Sequence, residues 1–186
     1  AAAAIAALAI GLGLPFRGGD EVVVVSGSVV KIDAESNRIV DSIPVGGQPG
    51  QVRVLGDAVF VTSVTNKTLS RIDARTGELT TSGEYAAGPG IAVGDDWLWV
   101  ASERRDVVTR VSPRSLGEIE QIRLGGRPGD LEHASVALGG GSLWVSQFAP
   151  AAVTRWNLET HLLERRYELG GFGAGEIMFG ARAAWG

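Results

Sequence analysis

Apolar and polar positions alternate in short runs through most of this 186-residue chain. Runs of 4 to 6 residues with period two, bounded by Gly, Asn, Asp and Thr, describe half-buried strands rather than helices. Between residues 51 and 87 the pattern predicts strands at 51–54, 58–62, 68–73 and 78–82. The connections are Gly56-Asp57, the polar Thr65-Asn66-Lys67, and a turn at 74–77. The same order returns through 97–100, 107–111 and 119–124, and again through 142–145, 153–156 and 164–169. Consecutive strands joined by such short connections pair antiparallel.

The runs recur at fixed distances. A Gly-Pro-Gly turn is expected at Gly47-Gln48-Pro49-Gly50, Gly88-Pro89-Gly90 and Gly126-Arg127-Pro128-Gly129, with a degenerate copy at Gly171-Phe172-Gly173-Ala174. After each comes an aromatic: Phe60, Trp99, Trp144 and Trp185. An apolar residue followed by a small polar one then recurs at Ile32-Asp33, Ile72-Asp73, Val111-Ser112 and Trp156-Asn157. From aromatic to apolar residue is always 12 positions, and from apolar residue to the next turn always 17. Four strands in about 40 residues is the size of one propeller blade. The fold class is therefore all-β: a β-propeller of four-stranded antiparallel blades. Whole blades are expected at about 51–87, 90–126 and 130–170, with partial ones at 28–47 and 175–186. The recurring aromatic should fill the wedge between neighbouring sheets, which makes the tryptophans core residues. The stop inside a strand suggests a cut larger ring; pairing of the two ends into a four-bladed ring is the alternative.

The chain starts differently. Residues 1–16 carry no charge and are rich in Ala and Leu, which predicts an apolar helix ended by Gly11, Gly13 and Pro15. We read it as part of a transmembrane or signal-anchor helix, followed by a polar linker at 17–21. An Ala-rich helix packed on the protein, or a cleaved export signal, would give the same composition. Residues 22–25 form an irregular apolar run ahead of the first partial blade.

Composition narrows the partners. The formal net charge of −4 argues against nucleic acid, whose binding needs a basic face. With no cysteine, disulfides and thiolate metal sites are excluded. The 27 glycines mostly occupy turns between apolar runs.

The stretch at 29–50, Val-Val-Lys-Ile-Asp-Ala-Glu-Ser-Asn-Arg-Ile-Val-Asp-Ser-Ile-Pro-Val-Gly-Gly-Gln-Pro-Gly, resembles the YVTN-type propeller repeat, as do the Leu-Trp-Val runs. That superfamily includes virginiamycin B lyase-like proteins, and the resemblance covers roughly residues 28–186. It implies a propeller, usually seven-bladed, and says little about activity. Repeats of this kind also occur outside the membrane, joined through an apolar segment to kinase or winged-helix regulatory domains. Lyase members use a histidine and a metal-binding carboxylate in channel-facing loops, motifs that do not match this chain residue by residue.

Candidate chemistry lies where the repeat is irregular. From turn proline to aromatic is 11 residues in the first copy, 10 in the second and 16 in the third. The insertion holds Asp130, Glu132 and His133, which could serve as an acid/base pair or a weak divalent-metal site. Such an insertion usually marks the binding face of a repeat protein. Arg104 and Arg105, between the second and third strands of the second blade, join Arg127 as a basic patch for an anionic ligand, and Asp130 is a further candidate ligand-binding residue. A solvated loop with ordinary surface charge accounts for the same residues. His161 reads as a turn residue at the opposite edge of its blade. The chain has no Gly-x-Ser-x-Gly elbow, phosphate loop or zinc spacing.

The expected function is thus a non-catalytic module that binds a small-molecule or protein ligand at its channel-facing loops. It would be membrane-anchored with the propeller extracytoplasmic, or exported, and would need no cofactor. The alternatives are a metal-dependent lyase with Glu132 and His133 in its catalytic loop, and a structural scaffold.

Overall fold

The computed structural model describes residues 5–7, 22–83, 87–94, 96–102, 107–124, 134–147, 151–171 and 175–185. Five antiparallel sheets follow one another along the chain, and the described residues contain no helix. The first sheet holds β1 (Ile5–Ala7), β2 (Ser28–Asp33) and β3 (Arg38–Pro44) in that order. Three complete blades come next, each with its strands in chain order. They are β4 (Pro49–Leu55), β5 (Ala58–Ser63), β6 (Thr68–Asp73) and β7 (Leu79–Thr81); then β8 (Ala87–Gly94), β9 (Trp97–Ser102), β10 (Val107–Val111) and β11 (Glu118–Arg123); then β12 (Ser135–Gly139), β13 (Ser142–Gln147), β14 (Ala152–Asn157) and β15 (Leu163–Glu168). A hairpin of β16 (Met178–Gly180) and β17 (Ala183–Trp185) ends the described chain. This is the predicted β-propeller of four-stranded blades.

The innermost strands β4, β8 and β12 lie side by side, and the hairpin strand β16 continues their row against β12. Their register gives the molecule two rims. At one rim stand Pro49, Ser63 and Thr68 of the first complete blade, and Ala87, Ser102, Val107 and Arg123 of the second. In the third blade the same rim carries Ser135, Gln147, Ala152 and Glu168. The tight turns lie at the opposite rim.

Each turn after an apolar–polar pair has one solution. Asp33 Oδ1 accepts from the Ser36 amide at 2.8 Å, and Asp73 Oδ1 from the amides of Arg75 and Thr76 at 2.9 Å. Ser112 and Asn157 do the same for Ser115, and for Glu159 and Thr160. Four residues after the polar one the backbone turns left-handed, at Asn37, Gly77, Leu116 and His161. Only Gly77 does so without a steric cost. Leu116 is held there because its side chain is buried with Phe60, Leu98 and Val111. The small polar residue of the repeat is thus the turn's hydrogen-bond acceptor.

The core is a series of junctions between sheets. Phe60 and Leu69 pack forward on Ile91, Leu98 and Val100 of the next blade. Trp99 and Val108 pack forward on Val136, Leu143, Val145 and Trp156. The recurring aromatic points to the following blade, whereas Ile72, Val111 and Trp156 point to the preceding one. Cross-strand register explains the constant spacing. Phe60, Trp99 and Trp144 stand directly opposite Arg71, Arg110 and Arg155, the residues just before the apolar position. The guanidinium of Arg110 lies 4.9 Å from the Trp97 ring and that of Arg155 5.3 Å from Trp144, close enough for cation–π attraction.

Three expectations change. Ile5–Ala7, within the predicted apolar helix at 1–16, are extended and pair with β2, Ile5 opposite Ile32; this covers a strand edge that would otherwise stand open. The rest of that helix and the linker at 17–21 lie outside the described residues. Second, Gly-Pro-Gly is not a free turn. Pro49-Gly50 and Gly88-Pro89-Gly90 are the bulged first residues of the innermost strands, with register breaks between Pro49 and Val52 and between Ala87 and Ile91. A bulge tolerates proline's missing N–H, and glycine lets neighbouring backbones close in. A Cβ on Gly90 would meet the Ala134 carbonyl oxygen at 2.4 Å. Third, Trp185 is not core: it is 61% exposed.

Candidate functional site

Polar side chains gather at the rim where the innermost strands begin. Counting nine residues back from each aromatic gives Gln51, Gly90, Ser135 and Glu176. Gln51 ties three blades together. Its Oε1 accepts from the Ile91 amide at 3.0 Å, and its Nε2 donates to Ser135 Oγ at 3.2 Å. The buried Ser135 hydroxyl also accepts from the Ile177 amide at 3.2 Å, and Ser146 Oγ donates to the Gly175 carbonyl at 2.9 Å. Backbone and side-chain donors are thus matched across β4, β8, β12 and the segment leading into β16.

Arg53 is the charged member of this group. Ala92 and Ala137 hold its position in the next two blades, each opposite the blade's aromatic as Arg53 is opposite Phe60. It is the only Lys or Arg on an innermost strand among the described residues. Its guanidinium donates to the Val52 carbonyl at 2.9 Å, to Gln51 Oε1 at 3.3 Å and to Glu176 Oε1 at 3.0 Å. The Arg53–Glu176 ion pair joins the first complete blade to the terminal hairpin segment and remains partly open to solvent on both sides. A half-exposed ion pair contributes little to stability. It can therefore be opened by a competing anion at small cost.

A second charged group lies across the junction of the second and third complete blades. Glu120 Oε2 is 3.3 Å from Arg110, and Glu120 Oε1 is 3.2 Å from His161 Nε2 in the turn of the following blade. His161 is a turn residue as expected, and it also contacts the neighbouring blade. Titration shifts fall on Asp33 and Asp73, at the turn rim. Hydrogen bonds from the Ser36 side chain and amide lower the first, and those from the Thr76 and Arg75 amides lower the second.

All six sequence candidates, Arg104, Arg105, Arg127, Asp130, Glu132 and His133, lie outside the described residues. The strand ends that bracket them do not: Ser102 and Val107 stand at the same rim as the starts of the innermost strands. Among the described residues no group of three or more His, Asp or Glu side chains is placed to hold a metal. Gln51, Arg53, Ser135 and Glu176 were not singled out from the sequence. The available signal was Arg53 standing where the other copies carry alanine.

Stacked four-stranded blades with a polar row at the channel rim define a β-propeller. No protein-family model matches the sequence, and no curated protein matches it. Solved structures do. A streptogramin B lyase superposes with a TM-score of 0.69 at 22% identity, over 86% of this chain and 54% of that one. Virginiamycin B lyase from Staphylococcus aureus gives 0.67 at 19% identity, over 83% and 54%. Hydrazine synthase from Kuenenia stuttgartiensis gives 0.67 at 14% identity, over 81% and 45%. At such identities the likeness concerns the fold, and the chain spans about half the length of these structures.

Proposed function

We propose that this chain is a non-catalytic β-propeller binding module that takes a small carboxylate-bearing ligand at the rim where its innermost strands begin. The supporting observation is Arg53, among the described residues the one guanidinium on an innermost strand, whose described anionic partner, Glu176, is half exposed. A ligand carboxylate that displaces Glu176 keeps the charge-assisted geometry, while Gln51 and Val52 hold the guanidinium in place. Ser135 is engaged by Gln51 and the Ile177 amide, which supports a part in holding the rim in shape around Arg53. Arg104, Arg105, Arg127 and Asp130 belong to the same proposal as further ligand contacts. The module would be membrane-anchored with its propeller extracytoplasmic, or exported.

Calorimetric titration of the full chain with citrate and succinate tests this reading. Binding should weaken at least about tenfold in Arg53→Gln and strengthen several-fold in Glu176→Gln, which removes the internal competitor. Equal affinity in wild type and Arg53→Gln, or no heat with any carboxylate, overturns it. Parallel titration with divalent metals, repeated in His133→Ala, tests the lyase alternative independently.

A further inference from the structure

The ion pair at the channel rim is held differently from the other arginine pairs described. Arg110 stands directly opposite Glu120 on the adjacent strand, and Arg155 and Glu164 also lie on adjacent strands of one blade. Arg166 and Glu168 lie on a single strand. Backbone pairing or strand geometry sets those separations. Arg53 lies on β4 and Glu176 on the segment leading into β16, 123 positions away, with no strand pairing between them. This pair can open without disturbing a sheet.

Both charged groups are nevertheless fixed from behind. The Arg53 guanidinium donates to the Val52 carbonyl and to Gln51 Oε1. The residues on either side of Glu176 are tied to the third complete blade: Ser146 Oγ donates to the Gly175 carbonyl at 2.9 Å, and Ser135 Oγ accepts from the Ile177 amide at 3.2 Å. Between these fixed points the pair is a single contact, Arg53 Nη2 to Glu176 Oε1 at 3.0 Å. It is not the two-bond fork that a guanidinium and a carboxylate can form. Among the described residues Glu176 Oε2 accepts no hydrogen bond.

Charge balance then selects the ligand. A simple carboxylate that takes Arg53 strands Glu176 and sets two negative groups beside one guanidinium, which opposes binding. A cation that takes Glu176 strands Arg53 in the same way. A ligand with both charges on neighbouring atoms leaves neither group unpaired, and the groups that receive it are already positioned. We propose that the rim ligand is an α-amino acid inserted into the opened ion pair, its carboxylate accepting from Arg53 and its ammonium donating to Glu176. This rests on the carboxylate reading above and narrows it. Glu176 is a competitor for an acid without an amino group and a partner for one that carries it, so its removal acts with opposite sign on the two classes.

Calorimetric titration of the full chain with the natural L-amino acids, one at a time, tests this, together with the deaminated analogue and the amide of the tightest binder. The amino acid should bind at least about tenfold more tightly than either analogue. Glu176→Gln should weaken the amino acid at least about tenfold while strengthening succinate, and Arg53→Gln should weaken both. Succinate binding that depends on Arg53, with no amino acid bound, leaves the carboxylate reading standing and overturns this one. So does equal affinity for the amino acid and its deaminated analogue, or tighter amino-acid binding in Glu176→Gln. No heat with either class overturns both.

Discussion

The junction between the second and third complete blades and the junction at the start of the series use the same repeat with opposite results. At the first, Trp99 is 4% exposed and meets Val136, Leu143, Val145 and Trp156 of the next sheet. At the second, the aromatic position holds Ala6 by register, and aliphatic side chains alone join the sheets, Val29 and Val45 meeting Val59, Val61 and Ile72. The hydrogen-bonded turns are nevertheless the same in both, at Asp33 and Asp73. Turn chemistry and strand pairing thus form each sheet locally, while the cohesion between sheets depends on one large ring per wedge.

The contrast is broken most severely at Trp99. Trp99→Ala should cost about 3–5 kcal/mol by urea unfolding, against less than about 0.5 kcal/mol for the exposed Trp185→Ala. Next is Gly90→Ala, whose added methyl meets the backbone of Ala134 rather than a movable side chain. It should destabilise by about 1–3 kcal/mol, whereas Gly56→Ala, with open space around it, should cost only its left-handed backbone strain of about 1–2 kcal/mol. A smaller change sharpens the terminal half-blade. Ala181 and Arg182 both have positive φ in the two-residue β16–β17 turn. Ala181→Asn with Arg182→Gly should stabilise that hairpin by about 1 kcal/mol and slow its amide exchange.

The smallest effect is a pH dependence shared by both regions. Hydrogen bonding in the folded chain lowers Asp33 and Asp73 below 3.8. Their contribution is present above that value and lost as pH falls through the lowered folded values, so thermal stability should decline below about pH 4. The double variant Asp33→Asn, Asp73→Asn should flatten the decline and keep the turns, as Asn157 does in the third complete blade.

The sequence disclosed the blades because their markers are equivalent positions on paired strands. The 12-residue step from Phe60 to Ile72 runs from the aromatic, through one hairpin, to the residue just past its cross-strand partner Arg71. Such local geometry survives in any copy. The rim network was hidden because Gln51, Arg53, Ser135 and Glu176 come from three different repeat copies and meet only once the innermost strands converge. Nothing in the spacing of one repeat encodes that meeting, and the alternation of β4 merely shows Arg53 as a polar residue on a strand. Pro49-Gly50 and Gly88-Pro89-Gly90 were misread as turns for a related reason, a bulge that lets two sheets approach having the same composition as a loop; the copies at 126–129 and 172–174 lie outside the described residues.

The central claim is that one buried ring per junction holds successive blades together. Fluorine NMR of the chain labelled with 5-fluorotryptophan, compared between light and heavy water, tests it at all five indoles at once. Trp99 and Trp156 should show no solvent-isotope shift, Trp97 and Trp144 an intermediate one, and Trp185 the full shift of an exposed ring. A Trp99 resonance as responsive to solvent as that of Trp185 would contradict the account.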